Sequence, residues 1–139
     1  MKVALVYAST TGNTEAMAKA ICEALKASGA DVLCSTAADA DKAAVTACDV
    51  ILLGSPAMGA EELEESVESF YTGIEGSLGG KKVGIFGSYD WGDGQWLRDW
   101  KDRLSGAGAV VASEPLMVHL EPGDAEIEQC KAWAVSAIK

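Results

Sequence analysis

The sequence is poor in the residues that build metal clusters and disulfide scaffolds. Its 139 residues include one histidine, three prolines and four scattered cysteines with no C-x-x-C pair. A structural zinc ion needs about four closely spaced Cys or His ligands, so a zinc site is not expected. The four cysteines are expected to be free thiols in a reducing compartment.

Long apolar runs are also missing. No stretch approaches the roughly 20 apolar residues that a membrane-spanning helix needs. The opening MKVALVYA has a short apolar run that leads straight into a polar loop, unlike a signal peptide. We therefore expect a cytoplasmic protein, and its length suits a single domain over residues 1–139.

Basic residues are scarce. The chain has 11 Lys and Arg against 21 Asp and Glu, which gives a formal net charge of −10 at pH 7. Such a surface repels nucleic acid and anionic membranes and attracts basic patches on other proteins. Nucleic-acid binding is therefore not expected, whereas solubility alone remains an alternative reason for the charge.

Short apolar runs alternate with helical patterns along the chain. Continuous rather than alternating hydrophobicity is typical of strands that are covered on both faces of a parallel sheet. The predicted strands are Val3–Ala8, Asp31–Thr36, Val50–Leu53, Val83–Phe86 and Ala109–Ala112, which Leu116–Val118 continues beyond Pro115. The predicted helices run from Asn13 to Gly29 and over Asp41–Ala47, Glu62–Tyr71, Trp96–Leu104 and Asp124–Ile138. This alternation predicts an α/β fold with a doubly wound parallel sheet.

The segment after the first predicted strand is rich in hydrogen-bond donors but has no positive charge. Residues 9–14 read STTGNT and lead directly into a helix, whose free N–H groups favour an anion. The segment matches neither G-x-x-x-x-G-K-[ST] nor G-x-G-x-x-G. It is either a phosphate site or a cluster of capping residues, and we favour the phosphate site because one cap would suffice.

Two more loops are expected at the same edge, because ligands of doubly wound sheets bind beyond the carboxyl ends of the strands. They read GSPAMGAEELEES and GSYDWGDGQW. Trp91 lies outside the helical spacing of Trp96 and Trp100, so it either stacks on a flat ring or anchors its loop. Met58 could cover the second face of such a ring, and Glu61 could bind a ring imide. The acidic first turn of the next helix is expected to contain Glu62, Glu64 and Glu65.

These three loops together closely resemble those of the short-chain flavodoxins, particularly the flavodoxins of anaerobic bacteria. The resemblance runs the whole length and rests on STTGNT, PAMGAEELEES and GSYDWGDGQW. It implies a flavodoxin-like, doubly wound five-stranded parallel sheet in the order 2-1-3-4-5, with helices on both faces. It also implies one non-covalently bound FMN. The implied cofactor-binding residues are Ser9, Thr10, Thr11, Gly12, Asn13, Thr14, Ser55, Pro56, Ala57, Met58, Gly59, Glu61, Ser88, Tyr89, Asp90, Trp91 and Gly92.

The resemblance also implies a role for each group. Residues 9–14 would hold the phosphate, while Met58 and Trp91 would flank the isoalloxazine. Gly59 would offer its carbonyl to the flavin N5 after reduction, and Glu61 would pair with N3. The flavin or its ribityl chain would be framed by Ser88, Tyr89 and Gly92.

Three residues depart from the family pattern. Ala8 stands where close relatives often carry a tryptophan beside the phosphate loop. Asp90 replaces a common glycine and adds a carboxylate near the flavin, and Ala60 occupies a position that is often polar.

The resemblance implies a low-potential one-electron carrier that cycles mainly between neutral semiquinone and anionic hydroquinone, without substrate turnover of its own. An uncompensated phosphate and nearby carboxylates would oppose the second electron. One carboxylate about 10 Å away, at an effective dielectric near 20, costs about 1.7 kcal/mol, or about 70 mV for one electron. The implied partners are basic-surfaced, low-potential oxidoreductases, and we expect a monomer.

Two other functions share this type of architecture. An FMN-dependent quinone or nitro reductase is the alternative, although the chain shows no insertion that could build a substrate pocket. A receiver domain of two-component signalling is excluded, because residues 7–9 and 53–55 lack its acidic side chains. No catalytic set of Ser, His and Asp is apparent, and His119 is expected away from the binding edge.

Replacing Gly59 by proline or a β-branched residue is predicted to destabilise the semiquinone. Glycine makes rotation of its peptide inexpensive, and this rotation would present the carbonyl to the flavin N5–H. The measurement is the pair of one-electron potentials, and two unchanged potentials would contradict the peptide rotation.

Overall fold

The protein was analysed as a computed structural model, which describes residues 1–9, 12–58, 62–89, 92 and 94–138. Within these ranges, six strands alternate with five α-helices. The strands are β1 (Lys2–Tyr7), β2 (Asp31–Thr36), β3 (Val50–Gly54), β4 (Lys82–Tyr89), β5 (Val110–Val111) and β6 (Leu116–His119). The helices are α1 (Asn13–Ala27), α2 (Lys42–Thr46), α3 (Glu65–Ile74), α4 (Gln95–Gly106) and α5 (Asp124–Ala137), and a short 3₁₀ turn covers Glu75–Ser77.

The strands form one parallel sheet in the order β2-β1-β3-β4-β5. β5 pairs with the beginning of β4, and β6 pairs in parallel with its end. The two short strands therefore occupy one position, which is interrupted around Pro115, a residue without an N–H for the ladder. The predicted five-position order 2-1-3-4-5 is confirmed.

Helices cover both faces of the sheet. Successive side chains of β1 alternate, so that Val3 and Leu5 pack with α1 and α5, whereas Ala4 and Val6 pack with α3 and α4. β3 is buried along its whole length. This double cover explains why its sequence is continuously apolar rather than alternating.

The start of α3 differs from the prediction. Glu62 lies before the helix and forms a two-way backbone pair with Met58, with N···O distances of 2.8 and 2.9 Å. Glu64 caps the helix, because its carboxylate accepts from the Ser66 N–H at 3.0 Å. Only Glu65 of the three predicted glutamates lies in the first turn.

Gly87 marks the closest approach between β4 and the loop that follows β3. A Cβ atom at this position would lie 1.9 Å from the carbonyl oxygen of Ser55. That carbonyl accepts a hydrogen bond from the indole N–H of Trp96 at 3.1 Å, and the Ser55 N–H donates to Phe86 at 3.1 Å. Any side chain at Gly87 therefore has to displace backbone that is held from two sides.

Gly87→Ala is predicted to destabilise the apoprotein by about 1–3 kcal/mol, because a buried methyl group forces the backbone to shift. Urea unfolding followed by circular dichroism measures the change. Gly76→Ala is the matched control, since a Cβ atom there meets no described atom within 4 Å. Equal unfolding midpoints for the two variants would show that the Ser55 carbonyl moves at no cost.

Candidate functional site

Hydrogen bonds join the three polar loops at the carboxyl edge of the sheet. The Thr14 hydroxyl lies 3.0 Å from the Ser88 hydroxyl, which links the first turn of α1 to the end of β4. The Ala57 N–H donates to the Ser88 carbonyl at 3.0 Å, and the Ala8 N–H donates to the Gly54 carbonyl at 3.2 Å. The loops after β1, β3 and β4 therefore lie side by side, as the sequence predicts.

The N-terminus of α1 is arranged for an anion. Gly12 takes the N-cap position with φ of +91°, and no side chain in the described ranges caps this helix. By contrast, α2 is capped by the carboxylate of Asp41, and α3 by that of Glu64. The first-turn N–H groups of α1 thus remain available at the edge where the loops meet, which fits a phosphate group.

Ser9 makes a hydrogen bond within the loop that leads into α1. Its hydroxyl accepts a hydrogen bond from the Gly12 N–H at 3.0 Å. Gly12 has a left-handed backbone conformation, which glycine adopts without the usual steric cost. Ser9 is therefore engaged with its own loop, and Asn13 begins the helix beside it.

We call Gly12 and the first turn of α1 the α1 cradle, and Thr14 lies at its base. It is fully buried, and the Ser88 N–H donates to its hydroxyl oxygen at 3.4 Å. Either hydroxyl of the pair can be the donor. If Ser88 donates, the Thr14 proton is free to donate to an anion, so the same contact can hold the loops and leave a donor for the phosphate.

The loop after β3 is fixed by Ser55. Its hydroxyl donates to the Pro56 carbonyl and accepts from the Glu64 N–H, both at 2.9 Å. Ser55 is fully buried, whereas Met58 is 36% exposed. The loop is thus held by a buried polar network, and it presents the thioether of Met58 on the surface.

Tyr89 and His119 form an aromatic pair that the sequence reasoning missed. His119 ends β6 in register with Tyr89, and their ring centroids are 4.9 Å apart. Tyr89 also contacts Trp96, at a centroid distance of 5.7 Å. The expectation that His119 lies away from the binding edge is therefore wrong. The rule that parallel strands end at one edge could have placed it correctly.

Of the remaining predicted residues, two lie within the described ranges and the others lie outside them. Pro56 is buried, and Gly92 is exposed with φ of +91°. Outside the described residues lie Thr10, Thr11, Gly59, Ala60, Glu61, Asp90, Trp91 and Asp93. The roles that the sequence assigns to this second group stay predictions.

The surface below Met58 is strongly acidic. A cleft of about 560 Å³ lies between α3 and α4, and its lining includes five carboxylate side chains and one arginine. The arginine, Arg103, is bound to Glu68 at 2.7 Å and to Glu75 at 3.6 Å. These contacts neutralise part of its charge, so the cleft keeps an excess of negative charge.

A parallel sheet in the order 2-1-3-4-5, with helices on both faces and three polar loops joined at its carboxyl edge, defines the flavodoxin-like class of α/β proteins. Comparison with known sequences gives the family. Residues 5–133 match the family described as Flavodoxin. The chain belongs to the flavodoxin family.

The chain is similar to flavodoxins along nearly its whole length. It is 49% identical to the flavodoxin of Megasphaera elsdenii over 99% of this chain and 98% of that protein. It is 46% identical to the flavodoxin of Clostridium beijerinckii over 88% and 89% of the two chains. The resemblance to short-chain flavodoxins is confirmed.

Solved structures agree with this assignment. The solution structure of two-electron reduced Megasphaera elsdenii flavodoxin superposes with a TM-score of 0.86, at 48% identity over 97% of each chain. The crystal structure of oxidised flavodoxin 1 from Bacillus cereus gives 0.89, at 28% identity over 99% of this chain and 97% of that one.

Family membership settles the cofactor and the general activity. Flavodoxins are FMN-containing electron-transfer proteins, so the predicted cofactor and the predicted carrier function are confirmed. None of the helices in the described ranges is long and apolar enough to cross a membrane.

Thr14→Val is predicted to weaken FMN binding about 10- to 100-fold, because a hydrogen bond to a charged group contributes about 1.5–3 kcal/mol. Riboflavin lacks the phosphate, so its affinity should change much less. Flavin fluorescence quenching during titration of the apoprotein measures both. Thr46→Val is the matched control, since this hydroxyl donates to carbonyls of its own helix, those of Lys42 at 2.9 Å and Ala43 at 3.2 Å.

An equal loss of FMN and riboflavin affinity in Thr14→Val would contradict a direct role toward the phosphate. It would mean that the Thr14–Ser88 contact only holds the two loops together.

Proposed function

We propose that this flavodoxin transfers single electrons, mainly between the half-reduced and fully reduced states of its FMN, and turns over no substrate of its own. The observation that carries the proposal is the open N-terminus of α1, which follows a loop without Lys or Arg. Such a cradle binds the phosphate through dipoles and hydroxyl groups. It therefore leaves the negative charge of the phosphate uncompensated.

The surrounding charge adds to this effect. Glu62 is exposed directly after the loop that carries Met58, and further carboxylates line the cleft below. The loops themselves contain Glu61, Asp90 and Asp93. A second electron on the flavin enters this negative field, so the fully reduced protein is a strong reductant.

We propose that the cofactor-binding residues are those predicted from the sequence. Three observations support this set: Thr14 and Ser88 meet at the base of the α1 cradle, Met58 is exposed, and Tyr89 lies at the same edge. Ser55 and Pro56 are buried, so they would act by holding the loop.

The acidic cleft suggests how the protein finds its partners. A negative surface beside Met58 would accelerate encounters with proteins that carry a basic patch, and salt would weaken this attraction. We propose basic-surfaced, low-potential oxidoreductases as partners of a monomeric, cytoplasmic, single-domain carrier.

The test of the redox proposal is an anaerobic reductive titration of the FMN-loaded protein, followed by visible absorbance. We expect a blue, long-wavelength species to accumulate at half reduction and to bleach only with the second electron. Direct bleaching would contradict the one-electron function. Steady-state oxidation of NAD(P)H with a quinone or nitro acceptor would favour the reductase alternative.

The test of partner recognition compares two single-carboxylate variants. The fully reduced protein is mixed with cytochrome c, a basic acceptor, at increasing salt. We expect Glu65→Gln to lower the rate and its salt dependence, because Glu65 lines the acidic cleft. Glu23→Gln removes an equal charge from α1, on the opposite face of the sheet. Equal effects would contradict docking at the cleft.

A further inference from the structure

Two of the four cysteines lie on the same face of the sheet, at its outer border. Cys34 lies in the border strand β2, in register with Leu5 of β1. Neighbouring residues of paired strands point to the same face, and Leu5 packs in the cluster beneath α1. Cys22 of α1 belongs to this same cluster, so Cys22 and Cys34 lie on the same face of the sheet, on the helix and the strand that pack together.

The two thiols differ in access and in acidity. Cys34 is exposed, whereas Cys22 is 6% exposed. The interaction between the two thiols raises the pKa of Cys22 and lowers the pKa of Cys34 to about 7. The positive charge of Lys26, one helical turn beyond Cys22, also lowers the pKa of Cys34. A large fraction of Cys34 is therefore thiolate at neutral pH, which is the nucleophilic form.

The other two cysteines have none of these features. Cys48 and Cys130 are both buried. Desolvation raises the pKa of both thiols, that of Cys130 to about 11. The Cys48 thiol also donates to the Ala44 carbonyl at 3.4 Å. They are inert by comparison, and they serve as internal controls.

We propose that Cys22 and Cys34 form a redox-active dithiol that reacts with small-molecule disulfides, separately from the flavin. Cys34 is the attacking thiol, because it is exposed at the border strand. Cys22 is the resolving thiol, because it is buried on the same face of the sheet as Cys34. The oxidised form would carry a covalent link between α1 and β2.

The reaction balances without the flavin. The Cys34 thiolate attacks one sulfur of the small disulfide, forms a mixed disulfide and releases the other half as a thiolate. Cys22 then loses its proton to that base or to water and attacks the Cys34 sulfur. The protein disulfide forms, and the second small thiol leaves. Two protein thiols are oxidised while one small disulfide is reduced to two thiols.

The test treats the FMN-loaded protein with oxidised glutathione under argon, so that oxygen chemistry of the flavin does not contribute. Intact mass, thiol counting and peptide mapping follow the products. We expect the wild type to lose two of its four thiols, to retain no glutathione, and to yield a Cys22–Cys34 linked peptide. Stable retention of one glutathione on Cys34, or similar reactivity of all four thiols, would overturn the proposal.

Variants separate the two roles. Cys34→Ser should react at least about tenfold more slowly, since it lacks the accessible thiolate. Cys22→Ala should keep glutathione on Cys34, because no resolving thiol remains, and Cys22→Ser gives the same readout if the smaller side chain impairs folding. Cys48→Ala and Cys130→Ala should behave as the wild type. A Cys22→Ala protein that retains no glutathione would overturn the assignment of Cys22.

A pH profile provides a readout that simple burial would not change. The rate of Cys34 alkylation by iodoacetamide should reach half of its maximum near pH 7 in the wild type, following the lowered pKa of this thiol to about 7. The midpoint should move to higher pH in Cys22→Ala, because the interaction that favours the thiolate is lost. An unchanged midpoint would overturn the role of Cys22 in activating Cys34.

Discussion

The buried contact between Thr14 and Ser88 is the constraint on which the site depends. It joins the first turn of α1 to the end of β4, and the two residues are 74 positions apart in the sequence. The backbone of Ser88 continues the connection, because its carbonyl accepts from Ala57 in the loop between them. The three loops are thereby held as one surface by groups that are largely shielded from water. Hydrogen bonds of this kind are costly to break, since each broken bond leaves a polar group unsatisfied.

The helices differ in which groups accept hydrogen bonds from the N–H groups at their N-termini. Two helices of the described fold satisfy first-turn N–H groups with a carboxylate, as Asp41 and Glu64 do for α2 and α3. At α5, the carboxylate of Glu126 accepts from the N–H of Gly123, the residue before the helix. No side chain in the described ranges caps α1, and we propose that its first N–H groups bind the cofactor phosphate. In this proposal, the negative charge at the start of α1 is that of the ligand rather than that of a side chain. Because the net charge of the chain is already −10, an electron added to the bound flavin would enter a negative field.

Much of this could be predicted from the sequence, because the patterns involved are local. β2 has its predicted bounds, and the continuously apolar β3 begins at the predicted Val50, because strand residues and the polar loops beside them report on nearby backbone. The start of α3 could not be predicted, because Glu62, Glu64 and Glu65 look alike in sequence but serve as a turn residue, a cap and a first-turn residue. The rule that parallel strands end at one edge could have placed His119, but its contact with Tyr89 depends on how β6 is aligned with β4. The placement of Cys22 and Cys34 on one face likewise depends on how α1 packs against β2.

The interruption between β5 and β6 has a consequence for how molecules of this protein behave when crowded. An exposed, uninterrupted strand offers a row of unpaired amide and carbonyl groups to which another chain can add. Here that border is split into pieces of two and four residues around Pro115, so no long ladder is available on this side. We therefore expect this border to disfavour the addition of a strand from a second molecule.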